Sequence, residues 1–240
     1  MINYLKSKII QFSLVPNIFC IFEPFYFARY NLKKNIKFFS DNIYGKTLDV
    51  GCGAKPYKKM FKNSSNYIGI EIETELQKKR KIADYFYDGK KLPFEDESFD
   101  SIVTFQVFEH IFEPKDFLVE ISRVLKPGGN ILITVPFIWD EHEKPNDFGR
   151  YSSFGIKYLF ESNNFQILNY KKSTIGIECI IQLMISGIEK RIFTKYLFFN
   201  FLIKFLIISP INLVGIILKL LFPKNQDIFL DNVLLAKKIR

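Results

Sequence analysis

The stretch Leu48-Asp49-Val50-Gly51-Cys52-Gly53 decides the fold, because it ends an apolar run in a turn with two glycines one residue apart. A second apolar run, Tyr67-Ile68-Gly69-Ile70, ends at an acid, Glu71. This order predicts a strand, a tight turn, a helix and a second strand. Glycines let a ligand approach the backbone of such a turn, and an acid at the tip of the second strand commonly binds ribose hydroxyls. A turn in an α/β domain without a ligand fits this stretch equally well.

The chain beyond this turn alternates between strand and helix patterns, as a parallel sheet requires. The apolar centres of the strands lack strict alternation, which is typical of strands covered on both faces. A helix is predicted over 116–125, with Pro127-Gly128-Gly129 turning the chain into the next strand, and Ser152-Ser153 cap a helix that ends near Glu161. The predicted strands cover 47–51, 66–71, 83–87, 100–105, 130–135, 165–170 and 227–237.

Five motifs in residues 47–136 resemble those of the class I S-adenosylmethionine-dependent methyltransferases, and specifically the large group that acts on small molecules. They are Thr47–Gly53, Ile68–Glu71, Asp88 with the block Leu92–Asp100, Ile102–His110 and Leu125–Pro136. The sequence departs from the family pattern at Lys55, where a third glycine is common, so the loop over 54–57 is bulkier.

The resemblance implies an α/β fold with a doubly wound, mostly parallel seven-stranded sheet, the Rossmann-like methyltransferase fold, and S-adenosylmethionine as cofactor. Ligands of such sheets bind outside the carboxyl ends of the strands. By resemblance, the methionine end is held by Asp49 and the backbone of Gly51, Cys52 and Gly53. Glu71 accepts from the ribose, Asp88 beside Gly89 accepts from the adenine amino group, and Gln106 flanks the methyl-bearing region. An exposed turn residue remains the alternative for both Glu71 and Asp88.

The polar loop over 139–151 is the predicted acceptor side, because so dense a mixture of acids, aromatics, His and Arg suits a ligand-facing segment. It resembles a block in methyltransferases encoded with surface-polysaccharide and lipid pathways. An imidazole titrates near neutral pH and can take a proton from a hydroxyl. His142 is the first candidate for this base and His110 the second, with a structural role as the alternative for His110. Asp147, Arg150 and Tyr151 are candidate substrate-binding or loop-orienting groups, and Arg150 suits a phosphate or carboxylate.

The chain has 240 residues and a net charge of +9, and its composition limits the classes of partner that are predicted for it. The basic run 77–81 is predicted to be a solvated helix face, and the Asn/Asp-Pro-Pro-Tyr/Phe signature of base methylation is absent after the fourth strand, so no nucleic-acid partner is predicted. Three scattered cysteines and two histidines form no metal-ligand spacing, so no metal site is predicted and a reducing cytoplasm fits. The apolar stretch over 9–22 is interpreted as a helical arm on the domain or on a membrane.

The predicted organisation has an N-terminal helical arm (1–45), a core (46–173 and 225–240) and an apolar helical insert (174–224) between the last two strands. Narrow polar stripes, such as Glu178, Gln182 and Ser186, predict helices with wide apolar faces, and Ser209-Pro210 predicts the start of a third helix. Residues 197–222 are long enough to span a bilayer, although Lys204, Pro210, Asn212 and Lys219 argue against a simple span.

Two interpretations of this insert stay open. It packs on the domain or on a second copy in a homodimer, or residues 177–222 make a peripheral contact with the inner face of an anionic membrane, with lysines reaching the headgroups.

We therefore expect a cytoplasmic methyltransferase that acts on a hydroxyl of a sugar, a glycolipid precursor or another small molecule. The first alternative keeps the enzyme class and changes the acceptor to an isoprenoid or quinone-like lipid, which a membrane-bound insert would favour. The second alternative is a non-catalytic, cofactor-binding scaffold protein. The acids Asp49, Glu71 and Asp88 favour catalysis, whereas a bound cofactor without turnover on any acceptor would favour the scaffold.

Overall fold

The computed structural model describes residues 21–75, 77 and 82–239. The chain divides into two compact units, a sheet unit of residues 35–171 with 231–240 and a helical unit of residues 1–34 with 172–230. Residues 1–20 of the predicted N-terminal arm, and residues 78–81 of the basic run, lie outside the described residues.

The described elements follow the predicted alternation of strands and helices. The strands are β1 (Tyr44–Val50), β2 (Asn63–Ile72), β3 (Tyr85–Tyr87), β4 (Phe99–Phe105), β5 (Leu125–Pro136), β6 (Phe165–Ile175) and β7 (Phe229–Lys238). The helices are α1 (Tyr26–Phe39), α2 (Pro114–Val124), α3 (Ser153–Glu161), α4 (Ile177–Ile192), α5 (Leu197–Ile203) and α6 (Ser209–Leu221). Ser152 caps α3 as predicted, since its side chain accepts from the Gly155 amide.

Among the described residues, the seven strands form one sheet in the order β3-β2-β1-β4-β5-β7-β6, which confirms the predicted fold class. β1 pairs in parallel with β2 on one side and with β4 on the other. The chain therefore leaves β1 in one direction and later returns to its opposite side. This switch point places the loops after β1 and β4 side by side at the carboxyl edge, where ligands of open α/β sheets bind. β7 runs antiparallel to β5.

Both faces of the central strands are buried, as their unbroken apolar centres predict. Val50, Ile102 and Ile133 are inaccessible to solvent and belong to one apolar cluster with residues of α2 and α3. Amphipathic helix faces thus cover the sheet, and the strand-end loops carry the polar groups.

The insert before β7 departs from prediction at Pro210. Helix α6 begins at Ser209, beside the predicted start, but Ser209 has helical backbone angles and therefore is not the N-cap of a separate helix. Instead, α5 continues into α6 through a π-helical turn over Lys204–Ile208, and Leu197–Leu221 is one uninterrupted helix. The physical reason is that proline lacks an amide donor and crowds the preceding turn, and a widened turn accommodates both effects.

The helical unit also pairs two of the lysines in the insert with acids. Lys204 Nζ lies 3.4 Å from Glu23 Oε1, and Lys219 Nζ lies 2.7 Å from Glu178 Oε1. Both ammonium groups are therefore engaged by carboxylates within the unit.

Candidate active site

The turn after β1 requires glycine at Gly51 for two separate reasons. Its φ of +70° lies in the left-handed region, and a Cβ there would come within 2.3 Å of Val107 Cγ2 in the loop after β4. The amides of Gly51 and Cys52 both donate to the Ile70 carbonyl, at 2.9 and 3.2 Å. The turn is thereby held against the end of β2, with its backbone open to close approach at the switch point.

Glu71 stands beside this turn, as its position at the tip of β2 predicts. Its Oε2 accepts from the Gly53 amide at 2.9 Å, and its Oε1 accepts from the Ile72 amide at 3.2 Å. Gly53 also has a positive φ, of +46°. The carboxylate therefore orders the glycine turn and stands where an acid can accept from ribose hydroxyls.

Asp49 is buried beneath the turn and only 3% exposed. Its Oδ2 accepts a 2.7 Å hydrogen bond from the Tyr67 hydroxyl. Burial is the largest influence on this carboxyl and raises its pKa to about 7, with the Tyr67 bond opposing the rise. A cationic group bound next to Asp49 would favour the ionised carboxylate, which fits the role that the family resemblance implies.

Lys55, where the family pattern often has glycine, is the centre of a small polar cluster that the sequence reasoning missed. Its Nζ lies 2.6 Å from Asp84 Oδ2, and the same oxygen accepts from the Gly69 amide at 2.7 Å. Burial raises the pKa of Asp84, but the hydrogen bonds from the Gly69 amide and the Lys55 ammonium outweigh it and keep that pKa below its usual range. A Cβ on Gly69 would come within 2.3 Å of Lys55 Cε, so the lysine stem lies across this glycine. The sequence feature that could have predicted this cluster is the acid Asp84, which lies immediately before β3.

The remaining predicted cofactor residues differ in their surroundings. Asp88 is exposed, and its Oδ1 accepts from the amides of Lys90 and Lys91 at 2.9 and 3.1 Å. This geometry is that of an ordered turn residue, and it leaves Oδ2 without either bond. Gly89 follows with a φ of +84°. Gln106 stands after β4 with a φ of +56°, and its amide nitrogen donates to Thr134 and Asp231.

Asp231 on β7 is a buried acid that the sequence reasoning also missed. Burial, with a smaller contribution from the nearby Glu109 carboxylate, raises the pKa of Asp231 to about 7, and the Gln106 bond opposes the rise. Gln106 Nε2 donates to Asp231 Oδ1 over 3.3 Å. Nothing in the local sequence marks this aspartate, because β7 joins the site from 125 residues further along the chain.

The acceptor loop is organised around Asp147. Arg150 donates to both of its carboxylate oxygens, over 2.6 and 2.7 Å, and this pairing holds the pKa of Asp147 far below its usual range. Asp147 Oδ2 also lies 3.4 Å from His142 Nδ1 and accepts from the His142 amide at 3.0 Å. An ionised carboxylate beside Nδ1 favours the tautomer in which Nε2 is free to take a proton.

The structure brings His110 and His142 together around Glu109, which was not predicted as a site residue. Glu109 Oε1 lies 3.8 Å from His110 Nε2 and 3.7 Å from His142 Nε2. Glu109 is inaccessible to solvent, and among the described residues neither of its carboxylate oxygens has a hydrogen-bond partner. The Glu109 carboxylate is the main reason that the pKa of His142 is raised. His110 Nδ1 is held by the Asn146 carbonyl at 2.5 Å.

These three side chains also form a group whose ligand atoms lie within 4.8 Å of one another, close enough to be drawn around a metal ion. The sequence predicts no metal site, since residues 109, 110 and 142 lack a metal-ligand spacing. Tyr151 completes the loop: its ring packs at 5.4 Å on Phe108, and its carbonyl accepts from Asn232 at 2.7 Å. Its contacts are those of a loop-orienting residue.

Comparison with known proteins identifies the sheet core. A family model described as a methyltransferase domain matches residues 48–133. An uncharacterised protein, MJ1123, from Methanocaldococcus jannaschii is 37% identical over 94 residues, covering 38% of this chain and 44% of that protein. The mitochondrial ubiquinone biosynthesis O-methyltransferase of Dictyostelium discoideum is 30% identical over 101 residues, which cover 32% of this chain and 29% of that protein. A probable tRNA methyltransferase 9B of Homo sapiens is 33% identical over 110 residues, which cover 42% of this chain and 22% of that protein. The chain thus spans less than half the length of these relatives.

Solved structures share the fold over most of the chain. A phosphoethanolamine N-methyltransferase 2 from Haemonchus contortus, in complex with S-adenosyl-L-methionine, aligns with a TM-score of 0.54 at 22% identity, covering 88% of this chain and 52% of that one. The cyclase SpnF aligns with the same TM-score at 19% identity, covering 88% and 81%. Since a cyclase shares the fold, this likeness concerns architecture alone. Residues 48–133 thus form a methyltransferase domain, in the strand order of the Rossmann-like methyltransferase fold, and S-adenosylmethionine is the cofactor that such a domain implies.

Proposed function

We propose that the protein transfers a methyl group from S-adenosylmethionine to a hydroxyl of a small molecule, such as a sugar or a glycolipid precursor. The observation that carries the choice of a hydroxyl is the group formed by His142, Asp147 and Glu109. A hydroxyl must lose its proton as its oxygen is methylated, and this group offers an imidazole oriented to receive that proton.

The proposed chemistry is an in-line displacement at the methyl carbon. The acceptor oxygen forms the new bond to carbon while the bond between carbon and the sulfonium sulfur breaks, leaving a neutral thioether. The hydroxyl proton passes to His142 Nε2, and Asp147 keeps the ring oriented through Nδ1. The resulting imidazolium lies beside the Glu109 carboxylate, which stabilises it.

Arg150 acts in this scheme through Asp147, because both of its terminal guanidinium nitrogens donate to that carboxylate. Its proposed role is therefore to position Asp147 rather than to bind an acceptor phosphate. Asp231 of β7 and Gln106 of the loop after β4 are hydrogen-bonded to each other and form a polar side of the site.

A lipid acceptor, such as an isoprenoid or quinone-like phenol, is the second candidate. The apolar helix before β7 favours it, and one relative of this chain is named as an O-methyltransferase of ubiquinone biosynthesis. A hydroxyl of either class would lose its proton to the same imidazole, so only an assay with methyl acceptors of both classes decides between them.

The test is a transfer assay with methyl-labelled S-adenosylmethionine and three acceptor sets: nucleotide sugars, lipid-linked sugars and isoprenoid phenols. We expect label on an acceptor hydroxyl, identified as an O-methyl group by NMR. His142→Ala should lower turnover roughly 10²–10⁴-fold while cofactor binding, measured by calorimetry, is unchanged. His110→Ala is the matched control, since His110 has no carboxylate partner at Nδ1. Intact cofactor binding without turnover on any set would contradict the proposal and favour a scaffold protein.

A further inference from the structure

The helical unit buries polar side chains and exposes apolar ones, which reverses the usual arrangement in water-soluble domains. Glu178, Gln182 and Ser186, the polar stripe of α4, are all buried, and Asn212 of α6 is inaccessible to solvent. The exposed apolar residues of α4 and of the long helix over Leu197–Leu221 include Ile180, Met184, Leu206, Leu213, Ile217 and Leu220.

These buried side chains find hydrogen-bond partners within the same unit, although among the described residues Asn212 Oδ1 has none. Glu178 pairs with Lys219, and Gln182 donates to the Pro24 carbonyl at 2.7 Å. Asn212 Nδ2 donates to the Ile21 carbonyl at 2.7 Å. The interior thus holds paired polar groups beside a small apolar cluster of Phe27, Ile181, Ile185 and Ile208. Inward-facing, paired polar groups under an apolar exterior are what a hydrocarbon environment selects.

The long helix has the dimensions of a membrane segment. Its 25 residues extend about 37 Å, against about 30 Å for the hydrocarbon core of a bilayer. Only 17% of its most apolar stretch is buried. A core helix of a soluble domain can be equally long and apolar, but such a helix is mostly buried. The low burial of this helix distinguishes it from a core helix.

Chain topology excludes a single crossing of the bilayer. The helices leave the sheet after β6 and return to it at β7, and these two strands are neighbours in one sheet. One crossing would place the two strands on opposite sides of the membrane. α4, with 16 residues, extends only about 24 Å, which is too short to provide a second crossing. The helices can therefore enter only one leaflet.

Exposed cations stand at both ends of the long helix. Arg191 and Lys195 precede it, and Lys224 follows it. Unlike Lys204 and Lys219, these three side chains are not paired with Glu23 or Glu178. Cations at both ends of an apolar face suit a helix that lies in the plane of an anionic membrane surface.

We propose that residues 177–222 form a monotopic membrane anchor, with the exposed faces of α4 and of the long helix buried in one leaflet of an anionic bilayer. The anchor is independent of the proposed reaction, since it rests on the helical unit alone. It would hold the protein at the membrane whatever the acceptor is.

The experiment is flotation of the full-length protein with vesicles of phosphatidylcholine containing phosphatidylglycerol, at low and high salt. The test variant carries Leu206→Gln, Leu213→Gln, Ile217→Gln and Leu220→Gln, all at exposed positions. The matched control carries four changes to Gln at exposed apolar residues of the sheet unit: Phe112, Val119, Phe154 and Tyr158. Binding of S-adenosylmethionine by both variants verifies that the sheet unit is folded.

We expect the wild type and the control to float, and the vesicle-bound fraction of the test variant to fall by at least about tenfold, since four buried side chains are lost from the lipid. High salt should weaken binding without abolishing it, because the apolar contact remains. Wild type that stays at the bottom of the gradient, or a test variant that floats as well as the control, would overturn the proposal. So would a wild type that forms a homodimer in place of vesicle binding and that the four changes convert to a monomer.

Discussion

Asp49 makes the affinity for the cofactor depend on pH in a way that can be calculated. Burial raises the pKa of this carboxyl to about 7, so the free protein is half protonated there near neutral pH. If the methionine end of S-adenosylmethionine, which carries positive charge, requires the ionised form, the cofactor must expel that proton on binding. The charged groups around Asp49 are Glu71, Lys55 and Asp84, and its hydrogen-bond partner is Tyr67.

The expected size follows from the linkage of proton and ligand binding. The dissociation constant is multiplied by one plus the ratio of protonated to ionised Asp49. Affinity should therefore be about tenfold weaker at pH 6 than at pH 8. Binding at pH 6 should release about one proton, which calorimetry in two buffers with different ionisation enthalpies measures.

Asp49→Asn is the decisive variant, because it keeps a hydrogen-bond acceptor for Tyr67 and removes the titration. Its affinity should be low and almost independent of pH. Asp84→Asn is the matched control, since the pKa of Asp84 is lowered and this group is already ionised throughout the range. A wild-type affinity that is flat between pH 6 and pH 8, or a pH dependence that survives in Asp49→Asn, would refute the reasoning.

Unfolding offers an independent measurement of the same group. The folded-state pKa of Asp49 lies above its ordinary value of 3.8, so between that value and about pH 7 the native state holds a proton that the unfolded chain has lost. The free energy of unfolding should consequently fall as pH rises through this window. Urea unfolding of Asp49→Asn should show a shallower fall than the wild type.

Three further outcomes are expected. Glu71→Ala should weaken cofactor binding by roughly 1.5–3 kcal/mol for each charge-assisted hydrogen bond lost, as measured by calorimetry; unchanged affinity would remove Glu71 from the site. Turnover should rise with pH through a value above the ordinary pKa of His142, because the Glu109 carboxylate raises that pKa and only the neutral imidazole accepts a proton; a rate independent of pH would argue against this base. Turnover should survive treatment with a chelator, and loss of activity restored by Zn²⁺ would show that Glu109, His110 and His142 hold a metal instead.

Local sequence patterns were sufficient to predict buried parallel strands and the glycine turn after the first of them, and the family resemblance supplied the seven-stranded sheet. The apolar runs at β1, β2 and β4 can be buried on both faces only in a sheet covered by helices, and the glycines at 51 and 53 allow a turn with positive φ. The acid 22 positions after Asp49 then had to fall at the neighbouring strand tip. These inferences use contacts between adjacent strands, whose spacing follows from backbone geometry.

The group on the acceptor side depended on the tertiary structure. Glu109 and His142 are separated by the whole of α2 and β5, and no periodicity relates a residue after β4 to one in the loop after β5. Asp231 joins the same edge only because β7 inserts between β5 and β6. Long-range loop contacts of this kind are set by how the strands are ordered, which the local pattern does not encode.

The polarity of the helical unit shows the same division most clearly. From its sequence, α4 has a narrow polar stripe and a wide apolar face, because Glu178, Gln182 and Ser186 recur every four residues. Periodicity fixes the angle between the two faces of a helix, but not which face meets the protein and which meets the surroundings. Only the folded unit, in which Glu178 pairs with Lys219 and Gln182 bonds to the Pro24 carbonyl, turned the polar stripe inward and left the apolar face outside.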